Sequence, residues 1–240
     1  MIFRQFLHQD PVGASYLFGC GGHATCAVVD PVDDSEPYLQ SAAETRMSIR
    51  YVFDTHVHAD HVSGGRRLAE QAGATYLLHE SVAVSRAAGV ADGQQIEMGN
   101  VVVEVLHTPG HTPEHISLLV TDKTRGPEPW LILTGHTLMV GDMGRTELVS
   151  CADEGAAQLY QSALRLRQLR DHVEVWPGAF AGSVCGRALS GKPASTIGFE
   201  RSFNRTFRIE DRDAFVAAML RDIPEPPANA AAIRARNLTG

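Results

Sequence analysis

Apolar residues recur along the chain in two patterns, short runs bounded by Gly or Pro and longer stretches with helical spacing. The short runs predict β-strands at 1–7, 15–19, 25–31, 49–53, 75–79, 101–107, 115–120, 129–135 and 173–178. Helical spacing predicts α-helices at 36–48, 63–73, 153–170 and 211–222. Strands with interspersed helices indicate an α/β chain in which helices cover sheets. We expect one domain over 1–240, with residues 220–240 as an extended tail.

Composition narrows the classes of function. The chain has 240 residues, 44% of them hydrophobic and 20% charged, as in a globular enzyme with a full core. A net charge of −7 gives no basic surface for a nucleic acid, so we expect no nucleic-acid partner. We also expect no membrane span, because no apolar run approaches the roughly 20 residues of a membrane helix. An N-terminus without an export pattern and four cysteines without a CxxC pair indicate a cytoplasmic protein with reduced thiols.

A dense histidine cluster, "DTHVHADHVSGG" at 54–65, directly follows the apolar run "IRYVF". His56 and His58 are two residues apart at a strand end, where both can project towards one point and share a metal. Asp60 and His61 follow where the chain turns into a predicted helix. Imidazole suits zinc and iron, and a neighbouring carboxylate can accept a ring N–H or act as a base. The spacing therefore predicts a metal site.

Two further histidines lie at strand ends. His111 occupies a Pro/Gly turn behind "VVVEVLH", and His136 directly follows "LILTG". Candidate ligands on three different strand-end loops are the arrangement expected of a metal site on a rigid scaffold. We interpret the remaining histidines as surface or capping residues: His8, His23, His79, His107, His115 and His172.

The HxHxDH pattern of the cluster resembles the hallmark of the metallo-β-lactamase superfamily. Three further stretches, "TPGHTPEH", "VGDMGRTEL" and "GSVCGRALSGKPASTIGFE", resemble the branch of persulfide dioxygenases and their rhodanese-linked relatives, with glyoxalase II thioester hydrolases further away. The resemblance implies an αββα sandwich with a metal site at one edge between the sheets. It also makes a homodimer plausible.

Two positions depart from the family pattern. The strand before "VGDMGR" normally ends in Thr-Gly-Asp, whose Asp binds metal, and His136 stands there in this chain. The late motif resembles Pro-Ala-His-Gly-Ala-Gly-Ser, and Ala179 replaces its metal-binding histidine. A neutral imidazole does not bridge two cations, and a second cation would keep only Asp60 and His61. A two-zinc hydrolase is therefore not expected.

These residues fit a site with one metal ion better than a site with two. The resemblance implies that persulfide dioxygenases hold one Fe(II) through ligands that match His56, His111 and the carboxylate position now taken by His136, with positions left open for thiol and O₂. Three-histidine iron also occurs in cysteine-oxidising thiol dioxygenases of an unrelated fold. Our leading hypothesis is a mononuclear iron dioxygenase acting on a low-molecular-weight persulfide or thiol, such as glutathione persulfide.

Roles for the other residues follow from this hypothesis. His58 is a fourth ligand or a hydrogen-bond partner of a ligand, while Asp60 and His61 are the catalytic pair that orients ligands and water. Arg145 binds a substrate carboxylate, as the resemblance suggests, or forms a structural salt bridge.

Two alternatives stay open. One is a single-zinc hydrolase of a thioester or lactone, in which His136 stays off the zinc and Asp60 is the general base. This restriction arises because four histidine ligands would leave a tetrahedral zinc without a position for water. The other is a degenerate member that binds a metal, a small ligand or a protein partner without turnover.

Overall fold

The structure is a computed structural model that describes residues 1–147, 151–221, 223 and 229–240. Over these residues, the first sheet has six strands in the order β1-β2-β3-β4-β5-β6. These are β1 (Ile2–Gln9), β2 (Val12–Cys20), β3 (Thr25–Val29), β4 (Ser48–Phe53), β5 (Thr75–His79) and β6 (Ala88–Val90). The first three strands pair antiparallel and the last four parallel, so the carboxyl ends of β3 and β4 lie at one edge.

The second sheet, within the described part of the chain, has six strands in the order β14-β13-β10-β9-β8-β7. These are β7 (Gln95–Met98), β8 (Val101–His107), β9 (Ile116–Asp122), β10 (Leu131–Gly135), β13 (Glu174–Pro177) and β14 (Ser195–Thr196). A short ribbon of β11 (Leu138–Met139) and β12 (Asp142–Met143) follows β10 in the chain. Apart from the parallel pair β10–β13, the neighbouring strands of this sheet are antiparallel.

Among the described residues, six helices complete the layers: α1 (Glu36–Glu44), α2 (Gly65–Ala72), α3 (Ala152–Arg167), α4 (Ile197–Phe203), α5 (Arg212–Met219) and α6 (Ala230–Thr239). Residues of α1 and α2 form a buried apolar cluster with the first sheet, and residues of α3, α4 and α5 form another with the second. A third cluster, which includes Phe18 and Val103, fills the space between the sheets. The expected αββα sandwich is therefore confirmed.

The expected extended tail at 220–240 is wrong for its last part, because 230–239 form α6. The run "AAAIRAR" consists largely of strong helix formers, and Leu238 packs against the cluster under the first sheet. Residues 222 and 224–228, which include the end of the helix expected at 211–222, lie outside the described residues.

Other differences concern short elements. The expected helix at 36–48 ends at Glu44, since Arg46 has a left-handed φ of 54° that interrupts the helix. Helix α4 and the short strands β6, β7, β11, β12 and β14 were not predicted, because two to seven residues show too little periodicity. In the described ranges, no helix is long and apolar enough to cross a lipid bilayer.

A matched pair of phenylalanines tests the outer cluster on the second sheet. Phe215 of α5 is fully buried, with its ring 5.4 Å from that of Tyr160, whereas Phe203 is 68% exposed. We expect Phe215→Ala to lower the free energy of unfolding by about 3–5 kcal/mol, and Phe203→Ala by about 1 kcal/mol or less. Urea denaturation measures both, and equal losses would contradict this packing.

Candidate metal centre

The loop after β4 is held by a buried carboxylate from the end of β3. Thr55 donates to Asp30 twice, from its backbone N–H at 2.7 Å and its hydroxyl at 2.9 Å. His58 donates from Nε2 to the same carboxylate at 3.2 Å. The other ring nitrogen of His58, Nδ1, is buried and lies 3.7 Å from Oδ1 of Asp60. Asp30 therefore sets both the path of the loop and the orientation of one imidazole.

His56 is oriented by the preceding side chain. Because the Thr55 hydroxyl donates to Asp30, its oxygen is left to accept from Nδ1 of His56, at 3.0 Å. Nε2 of His56 then carries a lone pair, and it is buried without a partner in the part of the chain that the structure describes. A metal ligand needs this tautomer.

His111 is presented by a tight turn that lies against α3. Gly110 has a φ of +136°, and a Cβ there would lie 2.5 Å from Cα of Leu159, so only glycine fits. Nδ1 of His111 donates to the backbone carbonyl of Arg145 at 2.8 Å. Nε2 of His111 is therefore the nitrogen available to a metal.

His136 follows a second constrained glycine. Gly135 has a φ of +48°, and a Cβ there would lie 2.6 Å from both Nε2 of His115 and Oγ1 of Thr55. The backbone N–H of His136 donates to Nε2 of His115 at 3.0 Å. The loops after β4, β8 and β10 are thus in direct contact at one edge of the sandwich.

His115 is not the surface or capping residue that the sequence suggested. It is fully buried, and its ring stacks on that of His56 at 5.0 Å. Nδ1 of His115 lies 3.1 Å from the hydroxyl of Thr108 and 3.0 Å from that of Thr137. His115 supports the loops from beneath, and only its place in "TPGHTPEH" could have indicated this.

The structure brings His56, His111 and His136 together, with one ring nitrogen of each within 4.8 Å of the others. Nδ1 of His136 lies 3.4 Å from Nε2 of His111. Nitrogen ligands about 2.1 Å from a metal are themselves roughly 3–3.5 Å apart, so this spacing fits a single ion. All three side chains are buried.

His58, Asp60 and His61 form a neighbouring set of donors within 4.8 Å. Oδ1 of Asp60 lies 3.1 Å from Nδ1 of His61 and 3.7 Å from Nδ1 of His58. Ala179 is buried and supplies only a methyl group where the family pattern has a histidine. The residues present therefore fit one ion at the three-histidine set better than two ions.

Cys185 was missed by sequence reasoning. Its sulfur lies within 4.8 Å of donor atoms of Asp60 and His136, and the residue is buried. Burial raises the pKa of this thiol well above its usual value. Its position in "GSVCG", within a family-like stretch, was the available signal.

Electrostatics separates the histidines into two groups. Burial lowers the pKa of His56, His136 and His111, in the last case to about 3, so all three are neutral at pH 7. Burial also acts on His58, but the charge and hydrogen bond of Asp30 outweigh it and raise the pKa of His58 well above its usual value. The three converging histidines therefore already have the protonation state that a metal requires.

Arg145 is buried, and its backbone carbonyl accepts the hydrogen bond from His111. Its guanidinium pairs with the carboxylate of Glu147 and donates to the backbone carbonyl of Val184 at 3.1 Å. These contacts match the structural salt bridge considered for this residue. Binding of a substrate carboxylate by Arg145 stays a prediction.

Solved structures similar to this chain share its fold over most of its length. A metallo-beta-lactamase from Staphylococcus aureus is 33% identical, with a TM-score of 0.94, and the match covers 100% of this chain and 72% of that one. ETHE1 from Myxococcus xanthus is 32% identical, with a TM-score of 0.83, and the match covers 98% of this chain and 99% of that one.

Two curated relatives of this chain are named hydroxyacylglutathione hydrolase. A hydroxyacylglutathione hydrolase from Nostoc sp. is 31% identical over 155 residues, which is 62% of this chain and 57% of that protein. One from Pseudomonas paraeruginosa is 32% identical over 192 residues, which is 78% of this chain and 69% of that protein. The chain thus spans less than two thirds of the Nostoc relative.

A family model described as the metallo-beta-lactamase superfamily matches residues 10–178, well over half of the chain. The matched segment contains His56, His111 and His136, and it includes β2 to β13. The chain belongs to the metallo-beta-lactamase superfamily, in its glyoxalase II-like branch.

Proposed function

We propose that the protein is a mononuclear iron dioxygenase acting on a low-molecular-weight persulfide or thiol, with His56, His111 and His136 as metal ligands. The observation that carries this proposal is the convergence of three buried imidazoles within 4.8 Å. The likeness to ETHE1 supports it, because that match covers almost the whole of both chains. Zinc is the alternative metal.

The residues beside the three-histidine set are arranged to handle a proton. Nδ1 of His61 donates to Asp60 at 3.1 Å, which leaves Nε2 of His61 as an acceptor, and this buried nitrogen has no partner among the residues described. We infer that His61 accepts the proton of the substrate thiol at Nε2 and that Asp60 stabilises the resulting imidazolium.

The charge of Asp60 suits this role. Burial raises the pKa of Asp60, but attraction to His61 in its protonated form and interactions with the His58 and His61 rings outweigh it and hold that pKa well below its usual value. Asp60 is therefore a carboxylate at neutral pH. A bound Fe(II) would supply open coordination positions for substrate sulfur and O₂.

A second candidate function is a single-zinc hydrolase of a glutathione thioester. The relatives named hydroxyacylglutathione hydrolase favour it, at 31–32% identity. In this function His136 would stay off the zinc, and the Asp60 carboxylate would accept a proton from water.

Oxygen uptake distinguishes the two functions. With iron-loaded protein, we expect O₂ consumption that depends on added glutathione persulfide and yields sulfite. We expect the same protein not to cleave S-lactoylglutathione. His111→Ala removes one proposed ligand and should lower the rate at least about 100-fold. The matched variant His172→Ala alters an exposed histidine and should keep the parental rate.

Thioester cleavage without O₂ uptake would contradict the oxygenase and favour the hydrolase. Inactivity of the parent chain towards both substrates would contradict both, and turnover restored by His136→Asp would then identify a degenerate site.

Metal affinity should depend only weakly on pH. The pKa values of His56, His111 and His136 lie below the usual 6.5, so these groups stay neutral as pH falls through that value. We expect the metal dissociation constant to rise less than about 10-fold between pH 7.5 and pH 5.5, measured by chelator competition. Three histidines of ordinary pKa would each lose about 10-fold, or about 1000-fold together, which would contradict the burial argument.

A further inference from the structure

The C-terminal helix α6 contacts the backbone of the first histidine loop through one buried side chain. Nδ2 of Asn237 donates to the carbonyls of His58 and His61, both at 2.9 Å. Oδ1 of Asn237 accepts from the backbone N–H of Ser63 at 3.0 Å. A single amide thus binds three peptide groups of a loop that lacks regular secondary structure.

A second side chain of α6 joins this loop to the next one. Arg234 donates from one guanidinium nitrogen to the carbonyl of Val57 at 2.8 Å and to Oε1 of Glu114 at 2.9 Å. The same Glu114 oxygen accepts from the backbone N–H of Val57 at 3.0 Å. Glu114 belongs to the turn that carries His111, so Arg234 and Glu114 connect the loops of two proposed ligands.

Helix α6 is itself fixed to the body of the protein. Leu238 packs against the apolar cluster under the first sheet, and its carbonyl accepts from the backbone N–H of Ser85 at 3.0 Å. Arg66 of α2 donates to the carbonyl of Asn237 at 3.1 Å. The helix lies outside residues 10–178, which the family model matches.

Backbone contacts of this kind affect ligand geometry. Val57 lies between His56 and His58, and the other bonded groups span 58–63, so movement of these peptides would move the imidazoles. A metal site needs its donors held close to one geometry, and partners that hold ligands strongly influence affinity. Buried peptide groups that lose their partners would also seek new ones by shifting the loop.

We propose that Asn237 and Arg234 are positioning residues of the metal site and that α6 sets its affinity for the ion. The inference rests on the metal site of the proposed function but not on the reaction. It therefore holds for an oxygenase, a hydrolase or an inactive metal-binding protein alike.

Metal binding by variants of the full chain tests this inference, with Co²⁺ as the probe. Asn237→Asp keeps the shape of the side chain but replaces two N–H donors by an oxygen facing the carbonyls of His58 and His61. We expect the Co²⁺ dissociation constant to rise about 10–100-fold and the visible Co²⁺ spectrum to change. Arg234→Ala should act in the same direction, whereas Arg236→Ala, an exposed arginine of the same helix, should leave both unchanged.

Unchanged Co²⁺ affinity and spectrum in Asn237→Asp and Arg234→Ala, even with a lower melting temperature, would show that α6 only stabilises the fold and would overturn the inference. If Asn237→Asp does not fold, Arg234→Ala decides by the same two readouts. A parent chain that binds no Co²⁺ would also overturn it. Loss of affinity in these variants without O₂ uptake by the parent would support the inference while contradicting the oxygenase.

Discussion

Burial of imidazole nitrogens without protein partners is the constraint on which the rest of this site depends. Nε2 of His56 and Nε2 of His61 are buried without a hydrogen-bond partner within the described ranges. An unsatisfied buried polar atom costs about 1–3 kcal/mol, so a cluster of them indicates a functional site where water or a bound ion supplies the missing partners. The convergence of strand ends, the two constrained glycines and the neutral state of three histidines all serve this arrangement.

Asp30 and His115 show how the scaffold holds the histidine loops in place. Asp30 directly follows β3 and accepts from the backbone N–H of Thr55 after β4, while His115 accepts from the backbone N–H of His136 after β10 and stacks on His56. Asp30 and His115 thus connect the ligand loops to one another, so the position of the metal ligands depends on the packing of the two sheets. Replacement of the family carboxylate by His136 leaves this framework intact, because the bond to His115 comes from the backbone of residue 136.

Much of this site was predictable from local pattern. The positions of His56, His111 and His136 directly behind apolar strands indicated a shared site, and their ring nitrogens do lie together, whereas His58 lies with Asp60 and His61. Metal binding by these residues stays a prediction. Sequence reasoning missed Asn237 because its partners lie up to 179 residues away, and such contacts leave no local periodicity. It misjudged 230–239 because Pro-rich residues before this segment suggested an extended chain, although the Ala-rich run itself favours a helix. Cys185 was missed because its neighbours in the site, Asp60 and His136, are also far away in the sequence.

The central claim is that one metal ion is held by three histidines. X-ray absorption spectroscopy of the iron-loaded protein tests it most directly. We expect one iron per chain, with three imidazole nitrogens at about 2.1 Å and no metal neighbour. A second metal at about 3.5–4 Å, as in dinuclear hydrolases, would contradict it.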